Sequence, residues 1–277
     1  MLNTMNHEHI ILMLLIFALA MGASFLLNQL QDMESDRQNK KLFIIAEGHI
    51  SMRAVAIESA LLILFALILS FTIKALVGWL TLLFILITGY IYNYRPFRFK
   101  DFPLRSLLAN AAMGWLAFAI GWAAKRSLSY QLFVDALPYL FFNTALYLYT
   151  TLPDREGDMK TGKKTLASVL GLSAFLRWAF LLYLAGLISA VFLKDFTALY
   201  FMLLSAPFFI LTLWNRTIAG AVRTTKFAIL FFALVICLKW PFYFILMVAG
   251  FYATKWYFKK RFDFNYPNFQ GSQSAQK

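Results

Sequence analysis

An all-α, polytopic membrane bundle of about nine helices is the fold class this sequence predicts, and three observations predict it. The chain is 61% hydrophobic and 18% aromatic, with only 14% charged residues and a mean hydropathy of +0.67, far from the balance of a soluble domain. Its apolar residues come in runs of bilayer-crossing length, divided by short polar breaks. Its Lys and Arg residues gather on alternate breaks, as they do where one side of a membrane retains basic loops.

The first run, 8–31, follows a start that holds no Lys or Arg, so it is not expected to be a cleaved signal peptide. Further runs follow at 54–73, 76–94, 104–123, 131–152, 168–193, 196–214 and 222–239, with a last one at 241–258. Lys239, Trp240 and Pro241 separate the final two. Lys and Trp favour membrane interfaces and Pro interrupts helices, so a turn is expected there rather than one kinked span. A membrane domain over 1–258 and a polar tail over 259–277, partly disordered and on the cytoplasmic side, complete the expected organisation.

Orientation follows from the basic residues. With the amino terminus outside, all of them except Lys74, Lys125, Arg126, Lys194 and Lys239 fall on the inner side. That asymmetry predicts an integral protein of the inner (plasma) membrane with a basic cytoplasmic face. It accounts for the net charge of +13 through membrane lipids and anionic substrates, with no nucleic acid required. The one cysteine, Cys237, lies in an apolar run and has no intrachain partner for a disulfide. His7, His9 and His49 are scattered, which argues against zinc.

Two acidic clusters stand at the carboxyl ends of the first and fifth runs. Asn28, Asp32 and Asp36 recur at every fourth position, and so do Thr150, Asp154 and Asp158. On a helix each set forms one polar stripe. Asn143 and Tyr147 extend the second stripe deeper, whereas Glu34 and Glu156 fall off these faces. Pro153 is expected to break the helix just before Asp154. An even number of crossings separates the clusters, so both are expected at the cytoplasmic side. In each half a motif-bearing helix is followed by two more, the last ending in a basic loop. A four-helix unit used twice, with a site between the copies, would look like this. Carboxylates at a membrane edge are costly and usually functional. Two facing pairs are suited to holding Mg²⁺, or Mn²⁺, against a diphosphate.

These residues carry a resemblance to the UbiA-type intramembrane prenyltransferases. The segment from Asn28 to Asp36 is similar to that family's first aspartate-rich motif. The segment from Asp154 to Leu166, Gly162 included, is similar to its second, D-x-E-G-D-x3-G-x2-T-L. Tyr92 to Lys100 resembles its Y-S-x-P-P-x-[KR]-x-K loop, with Asn93 in place of Ser and Arg95 in place of the first Pro. The match runs from about residue 8 to 240. The family normally carries one more membrane helix ahead of the first motif. Here that helix is expected to be missing, with 241–258 available to fill part of the gap.

The resemblance implies a helical bundle around a central cavity and an enzyme that transfers alkyl or aryl groups other than methyl. A polyprenyl group would move from an allylic polyprenyl diphosphate to a hydrophobic or aromatic acceptor such as a quinone precursor, chlorin or lipid, by Mg²⁺-assisted ionisation. It implies Asp32, Asp36, Asp154 and Asp158 as catalytic, and these four with Asn28 as metal ligands. Arg37, Arg98, Lys100 and Lys164 would then bind the diphosphate, with Asn28, Asn143 and Tyr147 as further substrate contacts. Two other readings remain: a transporter or flippase with a metal–anion site, and an inactive family member acting as a partner. A transporter needs polar groups through both leaflets, whereas here the charges crowd one end.

Overall fold

The computed structural model describes residues 7–38, 45, 48–160, 165–263 and 265–267. All regular structure among them is helical. In chain order the helices are α1 (His7–Gln38), α2 (Met52–Ile73), α3 (Ala75–Ile85), α4 (Pro103–Ala123), α5 (Tyr130–Thr151), α6 (Arg155–Lys160), α7 (Leu166–Val169), α8 (Leu172–Phe192), α9 (Phe196–Asn215), α10 (Ile218–Lys239) and α11 (Pro241–Phe262). A π-helical turn, Leu86–Ile91, continues α3, and a 3-10 turn, Phe99–Asp101, precedes α4.

Most apolar runs identified in the sequence lie on one helix, but 168–193 is divided at Leu170 and Gly171 into α7 and α8, where Gly171 starts the new helix, and 76–94 is α3 with the π turn, its last three residues lying beyond them. Seven helices among the described residues are long and apolar enough to cross a membrane: α1, α2, α4, α5, α8, α9 and α10. Ala75–Ile91 is a shorter apolar stretch, and α11 lies outside that set.

Local chemistry sets the helix ends. Ser51, Thr165, Asp195 and Thr217 each accept a hydrogen bond from the backbone N–H three residues on, capping α2, α7, α9 and α10. Pro103 and Pro241 open α4 and α11 at positions where no N–H is needed. Buried hydroxyls are satisfied within their own helices: Ser59 donates to Val55 O, Ser70 to Ala66 O and Ser205 to Phe201 O. Such back-bonding lets polar side chains sit in an apolar medium.

Consecutive helices pack against one another, and α10 folds back on α5. Two cores result. One is built by α1 to α4 with Leu132 of α5, around Ile16, Phe84, Leu116 and Ile120. The other is built by α5 and α7 to α10, around Phe142, Tyr149, Phe175, Tyr183, Phe201 and Phe209. In the second, the Tyr183 and Phe209 rings stack at 4.1 Å, and the Tyr183 hydroxyl donates to Met202 O at 2.8 Å.

The chain breaks at Trp240 as predicted, between α10 and α11. The Lys239 ammonium lies 3.5 Å from Thr197 Oγ1 at the start of α9. At the other end of α11, Phe262 packs its ring on His49, which precedes α2. The C-terminus of α11 therefore returns to the end of the bundle where α1 finishes. No α11 residue is buried. The helix runs to Phe262, past residue 258. The rest of the expected tail, 268–277, lies outside the described residues, and so does residue 264.

Candidate active site

Lys100 is the centre of the site. Expected from the family resemblance to contact the diphosphate, it lies in the loop before α4 and is only 7% exposed. Its Nζ lies 2.8 Å from Asp32 Oδ1 and donates to Asn28 Oδ1 at 3.3 Å and to Asn93 Oδ1 at 3.1 Å. An ammonium so far from water is stable only with such partners. Asn28 and Asp32, one turn apart on α1, thus share a face as their spacing predicts.

The loop's backbone delivers Lys100 there. Arg98 N–H bonds to Tyr94 O at 2.7 Å and Lys100 N–H to Tyr92 O at 3.2 Å, closing the segment on itself. The chain reverses at Arg98, whose φ of 38° is left-handed, and the 3-10 turn follows. Arg98 itself pairs with Asp101, Nε to Oδ2 at 2.8 Å, rather than with the first motif.

The second motif arrives from α5 and α6. The helix ends at Thr151, and Pro153 and Asp154 form a turn before Arg155. Asp154 and Asp158 are therefore not on one continuous stripe with Asn143 and Tyr147, because Pro153 redirects the chain. Asp158 is buried at 7% exposure, and its N–H bonds Asp154 O at 2.8 Å. Tyr92 joins the motifs. Its hydroxyl meets that of Tyr147, which also meets Ser106, and both Asp32 and Asp158 act on it electrostatically.

Asn143 lies deeper. Its Nδ2 donates to Asn110 Oδ1 at 3.1 Å, tying α5 to α4, and Gly114 makes room for it. A Cβ on Gly114 would sit 2.7 Å from Asn143 Nδ2. The side chains of Glu34, Asp36, Arg37 and Glu156, and all of Lys164, lie outside the described residues. Tyr92, Asn93 and Ser106 were not singled out by sequence reasoning. Tyr92 and Asn93 head the loop that resembles the family motif, which was the available signal. Ser106 gave none.

The donors fit a hard cation in their chemistry, since carboxylate and amide oxygens from two parts of the chain face one buried region. Among the described residues, no group of three or more His, Cys, Asp or Glu gathers closely enough to hold a metal by itself. Mg²⁺ is commonly held in that way, through one or two carboxylates with phosphate oxygens and water completing the octahedron.

Fold and site together define a helical membrane protein with an acidic, lysine-bridged centre at one end of its bundle. The chain belongs to the UbiA prenyltransferase family, whose family model matches residues 3–221. It is 31% identical over 157 residues to the probable homogentisate phytyltransferase 2 of Oryza sativa subsp. japonica, covering 52% of this chain and 40% of that one. It is 33% identical over 156 residues to a 2-acylphloroglucinol 4-prenyltransferase of Humulus lupulus, covering 52% and 37%. The matched stretches thus span less than half the length of these plant proteins. In fold it resembles a UbiA homologue from Archaeoglobus fulgidus bound to DMAPP and Mg²⁺, with a TM-score of 0.64 at 21% identity, covering 83% of this chain and 88% of that one.

Proposed function

We propose that this chain is an intramembrane prenyltransferase that moves a polyprenyl group from an allylic prenyl diphosphate to a hydrophobic acceptor. The observation that carries this reading is the convergence of Lys100, Asn28, Asp32 and Asp158 around Tyr92, at the end of an apolar bundle. Cation and carboxylates side by side suit a metal-bound diphosphate. Asn28, Asp32, Asp36, Asp154 and Asp158 would hold Mg²⁺. When bound, the ion supplies positive charge against the leaving diphosphate.

The remaining chemistry belongs to the chain. Lys100, with Arg98, Arg37 and Lys164, binds diphosphate oxygens and stabilises the charge they gain as the allylic C–O bond breaks. The electron pair of that bond leaves with the diphosphate. The allylic carbon then bonds to an electron-rich carbon or oxygen of the acceptor, which gives up a proton. The Tyr92 and Tyr147 hydroxyls can donate hydrogen bonds without adding charge. The apolar bundle keeps water from the cation and leaves the isoprenoid tail in the lipid. The relatives' names favour an aromatic acceptor of the homogentisate or acylphloroglucinol kind. Mg²⁺ and DMAPP on the archaeal protein of the same fold support the metal and the donor class. The charge asymmetry supports a site facing the cytoplasm of the inner membrane.

The test is mass spectrometry of products from membranes holding the protein, given a panel of prenyl diphosphates and aromatic acceptors. Transfer is expected with Mg²⁺ and is abolished by excess EDTA. Undiminished transfer in EDTA rejects the metal reading, and no product with any pair rejects the enzyme.

A further inference from the structure

Asn93 is fully buried, and it sits where a π-helical turn runs out. The backbone explains why an amide is needed there. Tyr92 N–H bonds to Ile87 O, while Asn93 N–H and Tyr94 N–H both go to Tyr90 O. The carbonyls of Thr88 and Gly89 are thereby left without a backbone donor. Orphan carbonyls in an apolar interior are expensive. Asn93 Nδ2 donates to both, at 2.8 Å and 3.1 Å. Those two bonds use both amide hydrogens and fix the side chain, so that Oδ1 points one way only. It accepts from Lys100 Nζ at 3.1 Å.

The same turn also grips α1. Ser24 Oγ and Thr88 Oγ1 share a 2.7 Å hydrogen bond. Gly89 lets the helices close, since a Cβ there would stand 3.0 Å from Leu27 Cδ1. Ser24 lies one turn before Asn28 on α1. One π turn therefore sets the position of both sides of the contact between Lys100 and the first acidic motif.

We propose that Asn93 is a positioning residue for Lys100: anchored on the carbonyls freed by the π turn, it holds the ammonium at Asn28 and Asp32, where the diphosphate of the substrate would bind. This rests on the functional reading above only for the identity of the ligand.

Two measurements separate the positioning from that reading. The first is amine labelling of the detergent-solubilised full chain, read by mass spectrometry at each lysine. Asn93→Leu removes both the anchor and the acceptor. It should raise the labelling rate of Lys100 about tenfold, the worth of a lost hydrogen bond to a charged group, and leave Lys74 and Lys239 unchanged. Asn93→Asp keeps an oxygen for Lys100 but has no N–H for the two carbonyls. It should lower the melting temperature while Lys100 stays protected, and it serves as the second variant where Asn93→Leu does not fold. Lys100 labelling at the wild-type rate in Asn93→Leu, or full exposure of Lys100 in Asn93→Asp, overturns the proposal.

The second measurement is the affinity for a prenyl diphosphate in Mg²⁺. Asn93→Leu and Lys100→Met should each weaken it, and the double variant should be no weaker than Lys100→Met. Additive losses overturn action through Lys100. If the labelling changes as expected while the affinity does not, the positioning stands and the role given to Lys100 in diphosphate binding fails.

Discussion

At the residue scale the acidic groups carry the clearest expectations. Asp32→Ala removes the partner of a buried ammonium as well as a proposed metal ligand. Asp154→Ala removes a proposed ligand on the opposite motif. Each should lower prenyl transfer on the order of a hundredfold or more, and the double variant should be hardly worse than either, since the groups act as one unit. Glu34→Ala and Glu156→Ala, which the four-residue spacing leaves out of the two acidic sets, should keep substantial activity. Equal tolerance of all four, measured as initial rates in membranes, would reject the facing clusters. The resemblance pointed to Lys100 as a diphosphate contact, but its burial was not legible in the sequence. Basic loop residues on the inner side are common and usually solvated, and the three oxygens that bury this one come from residues up to 72 positions away.

At the scale of elements, much was legible. Apolar run length located the helices, because a bilayer fixes how long such runs must be. Pro241 marked the break after α10, and Pro153 the break before α6, because a proline lacks the N–H of the helical ladder and its ring crowds the preceding turn, although Pro138 and Pro207 are accommodated inside α5 and α9. What the pattern did not reveal was the π turn. Its hydrogen-bond register depends on where α1 and Lys100 come to lie, and no local preference encodes that. Asn143, placed by its spacing on the second stripe, bonds α4 through Asn110. The α4–α5 contact makes its own prediction. Gly114→Ala should destabilise the protein by about 1–3 kcal/mol through overpacking against the Asn143 amide. Gly114→Ala/Asn143→Ala should recover part of the loss. Thermal unfolding in one detergent checks both, and strict additivity would mean the two side chains do not collide.

At the scale of the whole molecule, the return of α11 toward His49 fixes where the carboxyl terminus should emerge. A reporter fused after Lys277 should report the same side of the membrane as the two acidic motifs, which the charge asymmetry leads us to expect on the cytoplasmic side. Alkaline phosphatase activity outside that membrane would mean that α10 and α11 cross as one span. The two cores have a consequence of another kind. Lys100 and Asp32 come from the half built on one core, Asp158 and Tyr147 from the half built on the other. Between the halves the chain passes through the exposed stretch 125–129, which buries nothing. Covalent continuity there is dispensable if each core forms by itself. Residues 1–126 and 127–277, made together as two polypeptides, should associate in the membrane and restore transfer that neither has alone. The reaction centre would then be a property of the assembled pair, with the peptide link serving only to deliver the partners in equal number.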